Sequence, residues 1–551
     1  MVQDALAAGN AALAEGRWAV ARSQFEQALL VEESAAALRG LGHALWWLGE
    51  IRPGVGYDER AYAAFRRQGD VVGAVGTAVW LSITYWSSFG SQAASRGWAA
   101  RAARLLDGTD VGPLHGWVDV ARAYYQEDPS QSIVMAERAL AVAREHGDTD
   151  LELCALGELG DALVASGRID EGLVLVDEAM AGSLGGEHTS LDTVVFTSCQ
   201  MLIACDLAAD VSRAAQWCRV ADDFIERYGC PYLYVDCRMR YGSVLVATGQ
   251  WTQAENELQD ALRASADAHP AMYAQALARL AGLRMRQGRL EEAQALLSTV
   301  DDQPAVALET AMARHRRGEH AAAQLQIERH LAAPSGPYRD IAQVLELLVD
   351  VHIALGDTAS ANAVSGRLAA MAQPDGGRLA AYAAATAGRV AFAGGDVDLA
   401  RHQLGRALHL FADNDLPYES ARARLALAEA LAHDLPEAAA AEAQVAFRAF
   451  EQLGAATDGD AAAALLRSLG ARARTGPKGV GKLTERERQV LELVADGMSN
   501  PEIARRLFIS PKTASHHVSA LLRKLGLRNR AEAAAYGARS ATLATTDRWY
   551  P

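Results

Sequence analysis

Along most of the chain, apolar residues return every three or four positions, the period of a helix with one buried face. The segments carrying this period are punctuated by a hexad that opens on glycine: GRWAVA at 16–21, GRIDEG at 167–172, GQWTQA at 249–254, GRLEEA at 288–293, GEHAAA at 318–323, GDTASA at 356–361 and GDVDLA at 395–400. All but one close on alanine, and the last four spacings between the glycines are 39, 30, 38 and 39 residues. A stretch such as ALARLAGLRMRQ precedes the glycine and one such as EEAQALLSTV follows it. The pattern predicts a helix, a tight turn with glycine as C-cap, and a second helix whose small alanine packs closely on the first. Such pairs bury their apolar faces only by stacking, so an all-α helical-repeat solenoid is expected over residues 1–468. The repeat is clearest over 240–410 and degenerate over 70–130 and 183–230. The aromatic run WLSITYWSSFGSQAASRGW, Trp80–Trp98, could line a ligand pocket, but large aromatics at helical spacing are more often core, and no site is assigned to it.

The pattern changes near the C-terminal end. Thr484, Ser499 and Asn529 each stand three residues before a glutamate, Glu487, Glu502 and Glu532, the signature of a capping box. Ser510 adds a fourth helix start, a cap followed by Pro511 at the first helical position. The helices opened in this way are short: Val490, Leu491 and Val494 are the apolar residues of the first, Ile503, Ala504 and Leu507 of the second, and Ala514, Val518, Leu521 and Leu525 of the third. Only Phe508-Ile509-Ser510 separates the second from the third, which predicts a helix-turn-helix within a small four-helix domain at 483–545. With the apolar stripe of the third helix turned inward, Lys512, His516, Ser519 and Arg523 share the outer face and Ser515 lies at its margin. That face has no carboxylate and two fixed positive charges, as a helix in the major groove of double-stranded DNA requires.

Charge distribution strengthens this reading. The chain of 551 residues carries a net charge of −15, which alone argues against nucleic acid. Residues 471–540, however, hold 14 Lys and Arg against 6 Asp and Glu, a balance of +8 that leaves −23 on the rest. Between the two units, Arg472–Lys482 reads as part of a basic Gly/Pro linker at 469–482. Gly476 followed by Gly481-Lys482 mimics a phosphate-binding loop, but the preceding residues are helical and Leu483 stands where such a loop needs Ser or Thr for magnesium. No nucleotide site, cofactor or metal site is expected. The six cysteines, Cys154, Cys199, Cys205, Cys218, Cys230 and Cys237, show no C-x-x-C spacing and are read as small buried hydrophobes. The opening MVQDALAAGNAAL lacks a basic region and a long apolar run, and no stretch of about 18 uncharged apolar residues occurs, so the expectation is a cytoplasmic protein with no membrane contact.

Two resemblances agree with these readings. The glycine and small-residue positions of the first unit resemble tetratricopeptide repeats over roughly residues 1–465, with looser spacing than that family's; this implies a concave surface for a peptide, a protein or a small effector. The stretch LTERERQVLELVADGMSNPEIARRLFISPKTASHHVSALLRKLGLRNRAEAAAYG resembles the C-terminal DNA-binding domain of LuxR-type transcription regulators: the Leu-Thr-x-Arg-Glu opening, Ser-Asn-x-Glu-Ile-Ala, Ile-Ser-Pro-Lys-Thr, Arg-Lys-Leu-Gly and Arg-Ala-Glu-Ala all fall in register. By that resemblance Ser515, His516 and Ser519 match base-facing positions, and Lys512, Thr513, His517, Arg523 and Lys524 match backbone-contacting ones. The sequence departs from the family's pattern at Ala514, where Val is usual, and at Ser515 and Ser519, where longer residues are common. The last helix, 531–541, with Ala534, Ala535 and Ala538, resembles the family's dimer-forming helix and implies a homodimer on DNA. The helical part resembles the repeat region of the large maltose-regulator-like members without their ATPase; RNA polymerase is a further partner that a regulator of this kind can engage.

An enzyme is not expected. The sequence contains no H-E-x-x-H, G-x-S-x-G or G-x-G-x-x-G, and His315, His352 and His402 are scattered helix residues. The competing expectation is a repeat scaffold for protein partners with a vestigial DNA-binding tail.

Overall fold

The computed structural model describes residues 2–470 apart from 110, 127, 267–268, 301–303, 333–340 and 373–376, and residues 485–534 apart from 496, 508–510, 525–529 and 531. The basic linker and the phosphate-loop look-alike, from residue 471 to 482, lie outside the described residues. Two compact units emerge, Met1–Ala471 and Arg472–Pro551. Among the described residues there are 28 α-helices and one 3-10 turn, 25 of the helices falling in the first unit.

The hexads explain how the first unit is built. All seven of their glycines have positive φ, from 71° at Gly16 to 93° at Gly167, the left-handed conformation that costs glycine little. At each, the residue after the glycine donates its N–H five residues back, as in Arg17 to Ala12 O (2.8 Å), Gln250 to Leu245 O (2.8 Å) and Asp396 to Ala391 O (2.9 Å). This satisfies the otherwise orphaned carbonyls of the first helix. The same residue then starts the second helix, its carbonyl accepting from the last residue of the hexad: Ala21 to Arg17 O is 2.9 Å and Ala254 to Gln250 O is 3.0 Å.

The closing alanines, Ala21, Ala254, Ala293, Ala323, Ala361 and Ala400, are all completely buried. They sit where the two helices of a pair come closest. In the exceptional hexad the position is Gly172, on helix Ile169–Leu184, facing Gly160 of helix Thr149–Ala165. A Cβ on Gly160 would lie 2.7 Å from the Gly172 carbonyl oxygen, so neither position has room for one.

The degenerate regions turn by other means. Between helices Leu191–Ala208 and Val211–Tyr228, Ala209 itself is left-handed (φ 55°), Asp210 donates to Cys205 O at 3.0 Å, and the Asp210 carboxylate caps Arg213 N at 2.9 Å. Before helix Pro129–His146, Asp128 caps Ser130 N at 3.0 Å and proline takes the first helical position. The first of these turns keeps the geometry of the hexads without their glycine, and the second relies on a side-chain cap and a proline instead.

Stacked pairs curve until later helices meet earlier ones. Trp18 stacks on Trp47 (4.1 Å between centroids) and donates to Tyr228 O at 2.6 Å, while Trp47 donates to Asp192 Oδ1 at 2.9 Å. Helix Pro270–Arg286 packs on helix Val71–Phe89. Farther on, Arg286 pairs with Glu419 (3.1 Å), and Glu346 accepts from Arg389 (3.0 Å) and Arg422 (3.1 Å). The coil encloses a cavity of about 600 Å3. Trp80, Phe89 and Trp98 pack against the core, while Trp86 and Phe89 of the same aromatic run also line the cavity. Both readings of the run hold in part because it spans two helices, and one helix has both a core side and a lumen side.

All six cysteines are buried and unbridged. Burial pushes the thiols of Cys154 and Cys199 well above their ordinary range, which keeps them in the unreactive thiol form. Helix Leu191–Ala208 is long and apolar enough to cross a membrane, with mean hydropathy 1.4, but most of it is buried among its neighbours.

Three outcomes follow from this packing. Gly160→Ala should destabilise the first unit by roughly 1–3 kcal/mol in denaturant unfolding. Gly366→Ala, in helix Thr358–Met371 with open space around its Cα, should instead stabilise it by up to about 1 kcal/mol. Asp58, buried beside Arg39 (3.1 Å), has a carboxyl pushed up to about 6 by burial. Its contribution to stability is therefore complete below about pH 4 and is lost as pH rises through 6. Asp58→Asn should remove a pH-dependent difference on the order of 2–3 kcal/mol across that window, read from unfolding curves of both proteins.

Candidate nucleic-acid interface

The second unit is assembled from three described helices, Glu485–Ala495, Asn500–Arg506 and Pro511–Lys524. Their apolar residues converge as the sequence periodicity requires. Val490, Leu491 and Val494, Ile503 and Ala504, and Ala514, Val518 and Leu521 form one buried cluster, joined by Ala533. Ala514 is the position where a larger residue was expected from the resemblance; it is completely buried.

The middle helix is held at its start by the predicted box. Ser499 donates its backbone N–H to Glu502 Oε2 at 2.7 Å and its hydroxyl to the same oxygen at 2.5 Å. Those hydrogen bonds keep the Glu502 carboxyl below the usual range, so it stays ionised near the positive end of its helix. The boxes at Thr484 and Asn529 and the cap at Ser510 fall on residues outside the described ones.

One structural residue was missed by sequence reasoning. Arg530 donates to Asn500 Oδ1 at 2.8 Å and to the Met498 carbonyl, tying the chain after the third helix to the start of the second. The only sequence signal was a basic residue inside the Arg-Ala-Glu-Ala motif, and nothing in helical periodicity pairs positions 30 residues apart.

Of the predicted site residues, all eight belong to the third helix, Pro511–Lys524. Ser515 and Ser519 are exposed, one turn apart, on the side away from buried Ala514, Val518 and Leu521. His517 is half-buried at the border of the two faces. The side chains of Lys512, Thr513, His516, Arg523 and Lys524 lie outside the described residues. In the last segment, residues 530 and 532–534 are helical, Ala533 is in the core and Ala534 packs against it. Ala534 is thus already engaged within the domain. Ala535 and Ala538 lie outside the described residues.

A helix with one face locked into a three-helix core and short polar side chains on the other can approach base edges closely, a geometry suited to major-groove reading. Comparison with known proteins agrees. Residues 481–536 match the family described as bacterial regulatory proteins, luxR family. Over 93 residues the chain is 41% identical to the DNA-binding transcriptional activator DevR/DosR of Mycobacterium tuberculosis, covering 16% of this chain and 42% of that protein. Over 72 residues it is 44% identical to the nitrate/nitrite response regulator NarL of Escherichia coli K12, covering 13% and 33%. In a further HTH-type regulator from Mycobacterium bovis the match spans only 10% of the relative's length. The chain thus matches these relatives over a small part of its own length and spans less than half of theirs. Among solved structures, the chain is similar to one in the crystal structure of the APC/C hetero-tetramer Cut9-Hcn1, with 84% of this chain and 95% of that one covered, 13% identity and a TM-score of 0.37.

The two faces of the third helix should separate in mutagenesis. Leu521→Ala should cost roughly 2–5 kcal/mol of domain stability, whereas Ser519→Ala should leave stability within about 0.5 kcal/mol, as read from thermal unfolding of the C-terminal unit in the full chain.

Proposed function

We propose that this chain, whose C-terminal segment carries a domain of the luxR family of bacterial regulatory proteins, is a sequence-specific, non-enzymatic transcription regulator acting in the cytoplasm. The observation that carries the reading is the third helix of the C-terminal unit. Its buried residues are fixed by two neighbouring helices, and Ser515 and Ser519 are left free at its outer surface. In this role Ser515, His516 and Ser519 address base edges, while Lys512, Thr513, His517, Arg523 and Lys524 hold the phosphate backbone, so that positioning and reading fall to different residues. The chain binds double-stranded DNA as a homodimer through the helix that follows Arg530, and a protein or small-molecule effector on the helical repeats sets its activity toward RNA polymerase.

The test is selection of bound fragments from sheared genomic DNA by the full chain beside a Lys512→Ala, Arg523→Ala double variant. The expected result is enrichment of a shared, roughly palindromic site by the native protein alone. Removing two phosphate contacts from each subunit, about four in the homodimer, should also lower the slope of log affinity against log salt by about four. Absence of enrichment at low salt would replace this reading with that of a repeat scaffold.

A further inference from the structure

The cavity enclosed by the helical repeats is large enough for a small organic molecule, at about 600 Å3. Its wall is not uniformly apolar. Helix Pro231–Ala247 sends Tyr232, Asp236, Met239, Arg240 and Ser243 to it, an unbroken polar and apolar stripe on a helix that is otherwise core. Asp236 holds Arg240 through Nε, at 2.7 and 2.9 Å, but the buried Nη1 of Arg240 has no hydrogen-bond partner among the described residues.

Two more guanidinium groups line the same space with little to neutralise them. Arg279 reaches Asp206 Oδ2 only at 3.8 Å, and otherwise donates to Ser243 Oγ and the Gln275 carbonyl. Arg378 donates to the main-chain oxygen of Asp206 at 3.4 Å and lies over the Tyr382 ring, with no carboxylate in ion-pair range among the described residues. Among the described residues these three cations thus have two carboxylates in ion-pair range, Asp206 and Asp236, with Glu419 acting on Arg378 from farther away. A surplus positive charge in a half-buried wall is costly unless an anion joins it.

The opposite end of the cavity has the other polarity. Glu158 accepts from Ser132 Oγ at 3.3 Å and from the Gln200 amide, and burial, reinforced by the Asp161 carboxylate, pushes its carboxyl well above the usual range. The buried Oε1 of Gln200 has no donor among the described residues. Gln200 and Asp206 are six residues apart on helix Leu191–Ala208, about 9 Å along its axis; Ile203 lines the cavity between them and Leu207 lines it just beyond Asp206.

We propose that this lumen is the binding site of a small organic anion, its charged head held by Arg279, Arg378 and the free Nη1 of Arg240. Its apolar body lies along Ile203, Leu207 and Met239, and a hydrogen-bond donor at its far end meets Gln200 Oε1. The head is a carboxylate or a phosphate, each of which offers paired anionic oxygens that a guanidinium fork binds bidentately. The inference deepens the effector role proposed above and rests on it only for its regulatory purpose.

The test uses the full chain and 8-anilinonaphthalene-1-sulfonate, an organic anion with an apolar body and one N–H donor, followed by its fluorescence. One probe per chain should bind. Arg279→Gln and Arg378→Gln should each weaken it roughly tenfold or more, while the uncharged N-phenyl-1-naphthylamine should bind both variants as it binds the native chain. Ile203→Trp, which fills the lumen without touching a charge, should abolish both probes, and far-UV circular dichroism checks that each variant is folded. Displacement by octanoate identifies a carboxylate site, and displacement by octyl phosphate a phosphate site. Unchanged affinity in both arginine variants, equal loss of the uncharged probe, persistence of binding in Ile203→Trp, or displacement by neither competitor would overturn the proposal. No DNA is present in this titration, so its failure and a failure of genomic selection are read independently.

Discussion

The contact on which the helical unit depends is the close approach of two helices at a residue with no side chain to spare. In six hexads that residue is a fully buried alanine, and in the seventh it is a glycine against a glycine. At that separation the two helices leave no room for a larger group, so every other contact in the pair is set relative to this one. The left-handed glycine five residues earlier is the second half of the same constraint: it closes the first helix, satisfies its last carbonyls and starts the second helix within two residues. A turn this short leaves the second helix little choice of direction. Repetition of one fixed crossing then produces a coil, and the coil produces a lumen.

Where successive turns of the coil meet, packing changes character. Within a pair the contact is alanine on backbone; between turns it is carried by aromatics and buried ion pairs, Trp18 with Tyr228, Arg286 with Glu419, and Arg389 and Arg422 on Glu346. Arginine suits this role because its planar fork makes several directed hydrogen bonds from one charge. Glu346 illustrates the balance. Burial alone would raise its carboxyl, but Arg422 and Arg389 beside it hold it below the usual range. Ion pairs of this kind are replaceable by apolar packing in energetic terms, but they are directional, and direction is what long-range register requires.

The sequence announced the pair motif because the motif is local. A positive-φ glycine and a small residue five places on are visible in any hexad, and seven were found, although Gly49–Gly54, Gly69–Ala74 and Gly454–Gly459 close their turns in the same way and were not singled out. The turn at Ala209–Asp210 was missed because an alanine there accepts the strained left-handed conformation that glycine accepts freely, and the turn before Pro129 because an aspartate cap and a proline do the same work. The C-terminal domain was legible for the same reason as the hexads: capping and apolar spacing are short-range, and they located Ser499, Glu502 and the buried face of the third helix. Arg530, which bridges to the second helix, was not legible. Nor was the lumen chemistry, since Arg240, Arg279 and Arg378 come from three helices, and each reads alone as an ordinary solvated arginine. The one clue was Asp236 and Arg240, an i, i+4 pair inside the mainly apolar YLYVDCRMRYGSVLVA.

That distinction separates two kinds of site. The proposed DNA-reading surface belongs to one helix, so its residues are neighbours in sequence and their spacing reports their shared face. The lumen belongs to the coil, and its residues meet only because distant helices are brought round by the same crossing repeated. Glu158, Gln200, Asp206, Arg240, Arg279 and Arg378 span more than 200 residues of chain. The proposed ligand, held by Gln200, Arg240, Arg279 and Arg378, binds only the coiled arrangement, and by linkage it stabilises the turn-to-turn contacts that bring these residues together. For such a site, ligand affinity and closure of the coil are one equilibrium. A mutation at Trp18 or Glu419, far from any ligand atom, therefore acts on binding through the geometry of the whole array.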